Sequence, residues 1–139
     1  MTADWFLVKE KSCGAVVRNG ENYLLLHYTA GHWDFPKGHV EGTETEEETA
    51  QRELMEETGI SNAQILPGFR ERIAYYYTFE GTNRFKEVVY LLMETSQTNI
   101  VLSNEHKGFA WLPFDEAMKK LTFENAKNVL LKAHAFSQH

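Results

Sequence analysis

The segment KGHVEGTETEEETAQRELMEETGI, Lys37 to Ile60, constrains this chain most, because eight glutamates share it with only two basic residues, Lys37 and Arg52. Thr45 followed three positions later by Glu48 is a capping-box pattern, and Gly59 supplies a C-terminal stop. Together they predict a helix from about Glu46 to Thr58. At ~100° per residue, Glu53, Glu56 and Glu57 fall within one arc of about 100°, with Glu46 and Thr49 beside them. One reading is a solvated surface helix. Arg52 supports it, with Glu48 and Glu56 one turn to either side, each pair worth ~0.3 kcal/mol. Arg52 is expected to neutralise one or two of the carboxylates at most. The other reading is a cation site, since hard divalent ions such as Mg²⁺ prefer oxygen ligands. Geometry alone leaves both open.

Strands are expected on both sides of this helix. WFLVKEKSCGAVVRNG and NYLLLHYTA read as strands joined by a tight turn at Asn19-Gly20-Glu21-Asn22. HWDFPKGHVEGTE reads as a loop, punctuated by Pro36, Gly38 and Gly42. AQILPGFRERIAYYYTF and RFKEVVYLLMET form a second strand pair around Glu80-Gly81-Thr82-Asn83, and GFAWLP adds a further strand. Helices follow at about Phe114 to Leu121 and Glu124 to Phe136. Strands interleaved with helices imply an α/β protein, a mixed sheet with helices on both faces.

With 139 residues, 42% hydrophobic and 13% aromatic, the chain is expected to be one domain over 1–139, roughly two-thirds buried. No apolar run approaches the ~18 residues of a membrane span, and MTADWFLVKEKS lacks a secretory layout, so the expected location is the cytosol. The single cysteine, Cys13, cannot form an internal disulfide and reads as a buried small hydrophobe. The net charge of -6 gives no long-range attraction to DNA, RNA or an anionic membrane. A polyanionic substrate would need metal ions and a few placed cations.

Gly38, Glu44, Arg52-Glu53-Leu54, Glu56-Glu57 and Gly59-Ile60, at their spacing, resemble the signature box of the Nudix hydrolases without a mismatch. The resemblance implies a Nudix-type α/β/α sandwich whose loop-helix-loop carries Mg²⁺ or Mn²⁺ and hydrolyses a nucleoside diphosphate linked to another group. It also implies that Glu53, Glu56 and Glu57 are metal ligands, with one of them a candidate for the base that activates water. Glu44 corresponds to an auxiliary ligand, Arg52 to the group that orients the carboxylates, and Gly38 lets the loop turn in. The chemistry agrees, since carboxylate-held metals position water and neutralise phosphate charge.

The flanks HWDFPKGHVE, VVYLL and LSNEHKGFAWLPFDEA resemble the asymmetric diadenosine tetraphosphate (Ap4A) hydrolases within that superfamily. This implies a dinucleoside polyphosphate substrate, with Ap4A cleaved to ATP and AMP. His32, Lys37 and Lys86 match phosphate contacts, Tyr76 a stacking tyrosine, Glu105 an extra metal ligand or base, and Phe109 a base-stacking aromatic. The chain departs from the family at Gly42-Thr43, where relatives carry Pro-Gly, at Gly31, where animal members have a second histidine, and at Phe109, which lacks the usual tyrosine hydroxyl. Each residue also has a plain alternative: Lys37 and Lys86 as surface charges, His32 as a loop histidine, Glu105 as a loop acid, Phe109 as core. Of Tyr75, Tyr76 and Tyr77, alternation sends at least one to the core. His106, His134 and His139 carry no ligand pattern. The expected partner is a small nucleotide, bound by a monomer without DNA or membrane. Two other readings remain: a Nudix enzyme acting on an RNA 5′ end, a damaged nucleotide or a diphosphoinositol polyphosphate, and a non-catalytic nucleotide sensor.

Overall fold

The structure is a computed structural model that describes residues 7–138; Trp5 and Phe6, the start of the first expected strand, lie outside the described residues. Seven strands and three helices follow in the order β1 (Val8–Asn19), β2 (Asn22–Tyr28), β3 (Trp33–Asp34), β4 (Lys37–His39), α1 (Glu46–Thr58), β5 (Gln64–Phe79), β6 (Thr82–Glu94), β7 (His106–Pro113), α2 (Phe114–Lys120) and α3 (Glu124–Ser137). The sheet is mixed, with β3-β2-β1-β6-β5 in order, β4 added to β1 and β7 to β2.

The two central strands, β1 and β6, run parallel, Val8 against Arg84 through Arg18 against Glu94. Both read as continuous apolar runs because both of their faces are covered. Val16, Val88, Tyr90 and Leu92 point into one core, closed by Ala117, Leu121, Ala126, Val129 and Leu130 of α2, α3 and the segment between them. Cys13, Ala15, Val17, Val89, Leu91 and Met93 point into the other, closed by Ala50 and Leu54 of α1. Each fully buried Leu, Val or Met contributes ~1.5–3 kcal/mol, so these two layers hold the α/β/α sandwich together. Cys13 is fully buried, and burial pushes its thiol up to about 11.

The site owes its position to a split in the sheet. β1 and β2 pair only beside their turn, Arg18 with Tyr23 and Asn19 with Asn22. Upstream, β1 pairs instead with β4, Ser12 through Gly14 against Lys37 through His39, while β2 pairs with β7 and β3. Residues 33–39 enter this opening, where the Ala15 N–H donates to the Pro36 carbonyl at 3.1 Å. The segment expected to be one loop thus contains two short strands, whose partners are distant in sequence. β5 is one long strand with a register shift between Ile65 and Arg70, where Pro67 can donate no ladder hydrogen bond.

Candidate active site

α1 is fixed at both ends as its sequence dictates. The Glu48 N–H donates to the Thr45 hydroxyl at 3.1 Å and the Thr45 N–H to the Glu48 carboxylate at 2.8 Å. Gly59 closes the helix at φ 75°, its N–H donating to the Met55 carbonyl at 2.8 Å, a conformation glycine adopts without penalty. With Ala50 and Leu54 buried against the sheet, Glu53 and Glu57 come up against β4. At Gly38 of β4 an added Cβ would lie 2.0 Å from the Glu53 carboxyl carbon. Glycine is needed there for the close approach of a carboxylate.

Arg52 does more than the sequence suggested. It contacts Glu44 at 2.7 Å, Glu53 at 2.9 Å, Glu56 at 3.1 Å and Glu41 at 3.6 Å, and donates to the His39 carbonyl at 2.9 Å. Of the helix-row carboxylates it reaches two, Glu53 and Glu56, as expected; the contacts to Glu41 and Glu44 are additional, because the guanidinium fork lies across the helix face and reaches the preceding loop. Glu48 is not among them; the cap uses it. The Arg52 hydrogen bonds hold the Glu44 carboxyl down at about 2, whereas burial raises that of Glu53.

Glu57 is only 2% exposed. One carboxylate oxygen accepts the Lys37 N–H at 2.9 Å; the other, Oε2, is buried and has no hydrogen-bond partner among the described residues. Burial, followed by the negative charge of Glu53, pushes its carboxyl up to about 8. The loop before β7 runs along the end of α1, with Val101 and Ser103 N–H groups donating to the Thr58 and Glu57 carbonyls. That path brings Glu105 and His106 in, so that ligand atoms of Glu57, Glu105 and His106 all lie within 4.8 Å of one another. A buried, unpartnered carboxylate oxygen among further carboxylates is what a hard divalent cation requires, and these carboxylates fit one.

On the other side of Lys37 lies a cavity of about 270 Å³, lined by Asp34, Lys37, Ile73, Tyr75, Tyr90, Phe123, Asn125 and Ala126. The Lys37 ammonium donates to Asp34 at 2.7 Å. Lys86 faces Tyr75 across the β5–β6 pair, and burial, then the charge of Lys37, lowers its pKa. His32 stacks on Tyr28 with centroids 4.5 Å apart and lies 5.4 Å from the Phe123 ring; burial lowers its pKa too.

Lys37, Lys86 and His32 thus gather around one region, but Tyr76 and Phe109 do not. Tyr76 is 73% exposed, packs on Phe85, and by alternation faces away from Tyr75. Phe109 pairs with Leu26, whose side chain belongs to the α1-side core, and does not line the cavity. Sequence reasoning left Tyr75 open among three consecutive tyrosines and missed Asp34, Phe123 and His106. Tyr75 could have been found by carrying the alternation from Ile73; the exposed Phe123 between two helices was a weaker signal. His106 offered only its place beside Glu105.

A NUDIX domain model matches residues 8–133. The bis(5'-nucleosyl)-tetraphosphatase [asymmetrical] of Rattus norvegicus is 41% identical over 120 residues, covering 82% of this chain and 79% of its own length. An RNA pyrophosphohydrolase of a Sulfurovum species is 33% identical, with 76% and 74% covered. The crystal structure of a C. elegans Ap4A hydrolase binary complex superposes with a TM-score of 0.81 at 30% identity, covering 93% of this chain and 98% of that one.

Proposed function

This chain belongs to the NUDIX family, and from that premise we propose that it hydrolyses dinucleoside polyphosphates, cleaving Ap4A to ATP and AMP by attack of water. The observation that carries the reading is the double role of Lys37. Its N–H holds the buried Glu57 of the carboxylate cluster, and its ammonium lies with Asp34 at the cationic, aromatic cavity. Chemistry on a phosphate and recognition of a nucleoside meet at one residue.

Glu53, Glu56, Glu57 and Glu105 would hold Mg²⁺ or Mn²⁺, which lowers the pKa of water and neutralises phosphate charge. Arg52 keeps Glu53 and Glu56 in place. Glu105, exposed beside the buried Glu57 and His106, takes the proton of the attacking water. Lys37, Lys86 and His32 grip the polyphosphate oxygens from separate segments. Tyr75 and Phe123 receive an adenine, a contact worth ~1–3 kcal/mol, while Tyr76 and Phe109 stand outside this grip. The anchored base fixes which phosphorus meets water, the fourth from that adenosine. Residues 1–139 act as one domain and as a monomer in the cytosol, on a small nucleotide without DNA or membrane; the net charge of -6 gives no long-range attraction to DNA or an anionic membrane. No described helix is long and apolar enough to cross a membrane.

Hydrolysis of Ap4A in ¹⁸O-labelled water tests the register. The expected result is ATP plus labelled AMP, with Ap2A cleaved far more slowly; two ADP molecules would refute it. The Sulfurovum relative favours a second reading, removal of pyrophosphate from an RNA 5′ end. A 5′-triphosphorylated RNA in the same assay, cleaved with the higher kcat/KM, would decide for that reading.

A further inference from the structure

His106 has no part in the grip or the proton transfer described above, yet it is the most enclosed polar ring near the cluster. Its side chain is 0% exposed, and its Nε2 lies 3.5 Å from Oε2 of Glu57, whose own side chain is 3% exposed. Both atoms are buried, and neither has another hydrogen-bond partner among the described residues. Two unpartnered buried polar atoms this close are costly unless they serve one another.

The rest of the ring's surroundings decide which atom carries the hydrogen. Nδ1 lies 3.1 Å from the Ser103 hydroxyl. That hydroxyl accepts the Glu105 N–H at 3.4 Å, so its own hydrogen is free to point at Nδ1. An imidazole that accepts at Nδ1 carries its hydrogen at Nε2. The Tyr28 ring meets the His106 ring edge-on at 4.4 Å, and the His106 backbone N–H donates to the Ser103 carbonyl at 3.2 Å, which fixes where the side chain starts. Glu57 accepts the Lys37 N–H at Oε1; a hydrogen on Nε2 of His106 would lie toward Oε2, and each oxygen would keep a lone pair for a cation.

We propose that His106 is a positioning residue that donates from Nε2 to Oε2 of Glu57, with Ser103 fixing its tautomer, and so presents the Glu57 carboxylate to the metal. Hydrogen-bonded partners of metal-ligating carboxylates control affinity, and losing one costs roughly 10–100-fold in metal affinity or activity.

Mn²⁺ titration followed by electron spin resonance, on the protein without substrate, tests this. His106→Leu fills the buried site with an apolar side chain and is expected to weaken Mn²⁺ binding roughly 10–100-fold. His106→Gln restores an N–H near the Nε2 position and should recover most of the loss. Unchanged Mn²⁺ affinity in a folded His106→Leu protein overturns the proposal, as does a Gln variant as weak as Leu. Wild-type protein gives a measurement free of any folding defect: imidazole ¹⁵N shifts of the Mg²⁺-loaded form are expected to report the neutral Nε2–H tautomer. The Nδ1–H tautomer, or direct ¹⁴N coupling to bound Mn²⁺, would make His106 a ligand and overturn it. Only a kinetic arm, a fall in kcat with little change in KM for Ap4A, rests on the proposed function; failure of Ap4A hydrolysis would leave the binding and tautomer results standing.

Discussion

Glu57 concentrates the electrostatic conflict of the site in one side chain. In the metal-free protein its carboxyl is pushed up to about 8 from an ordinary 4.5, by burial first and then by Glu53. The folded state therefore keeps a proton that the unfolded chain releases. The stabilising contribution is full below about 4.5 and is lost as pH rises through about 8, by up to ~1.4 kcal/mol per pH unit. His32 and His106, lowered by burial, work in the opposite direction below their ordinary 6.5, so the comparison must be with Glu57→Gln. In EDTA, the thermal midpoint of the wild type should fall relative to that variant between about pH 5 and 8; parallel curves would contradict the raised carboxyl. With Mg²⁺ present, Glu57→Gln should lower kcat by on the order of 10³. The tyrosines separate in the same direct way. Losing a stack worth ~1–3 kcal/mol, Tyr75→Ala should raise KM for Ap4A by roughly 5- to 150-fold, while Tyr76→Ala, outside the cavity, should leave KM within about twofold; the reverse pattern would place the base on the other face of β5.

At the scale of the element, α1 has its ends written in sequence and its consequences written in space. Thr45→Ala removes the cap and should cost about 1 kcal/mol of stability, measured by urea denaturation, with the Mg²⁺-loaded kcat little changed. Gly38→Ala should do the opposite, because a methyl group 2.0 Å from the Glu53 carboxyl carbon must displace a proposed ligand. Turnover should collapse while the fold survives, and normal turnover would show that Glu53 is free to move. The caps of α1, the continuous apolar runs of β1 and β6 and the two hairpin turns were legible because local chemistry specifies them. β3 and β4 were not, since their hydrogen bonds come from β2 and β1. The same reason hid Phe123 and His106: each becomes meaningful only through what packs against it. The reach of Arg52 to Glu41 and Glu44 was concealed likewise, as a loop folding back over a helix leaves no helical spacing to read.

Across the whole molecule, the proposed cation site would couple metal binding to folding. A cation that binds only the folded state should raise stability by ~2.7 kcal/mol at a hundredfold excess over its Kd. Calorimetry with and without Mg²⁺ measures this, and EDTA should reverse it; an unmoved midpoint would contradict the proposed cation site. The parallel pairing of β1 with β6, Val8 opposite Arg84, adds a constraint in time. The first strand waits for the sixth before its ladder can close, and α1 has no completed sheet to rest on until then. Such long-range closure places folding in the slower part of the range for mixed α/β domains. Mg²⁺ should then find its ligands only after the rate-limiting step, slowing unfolding while leaving the refolding rate nearly unchanged.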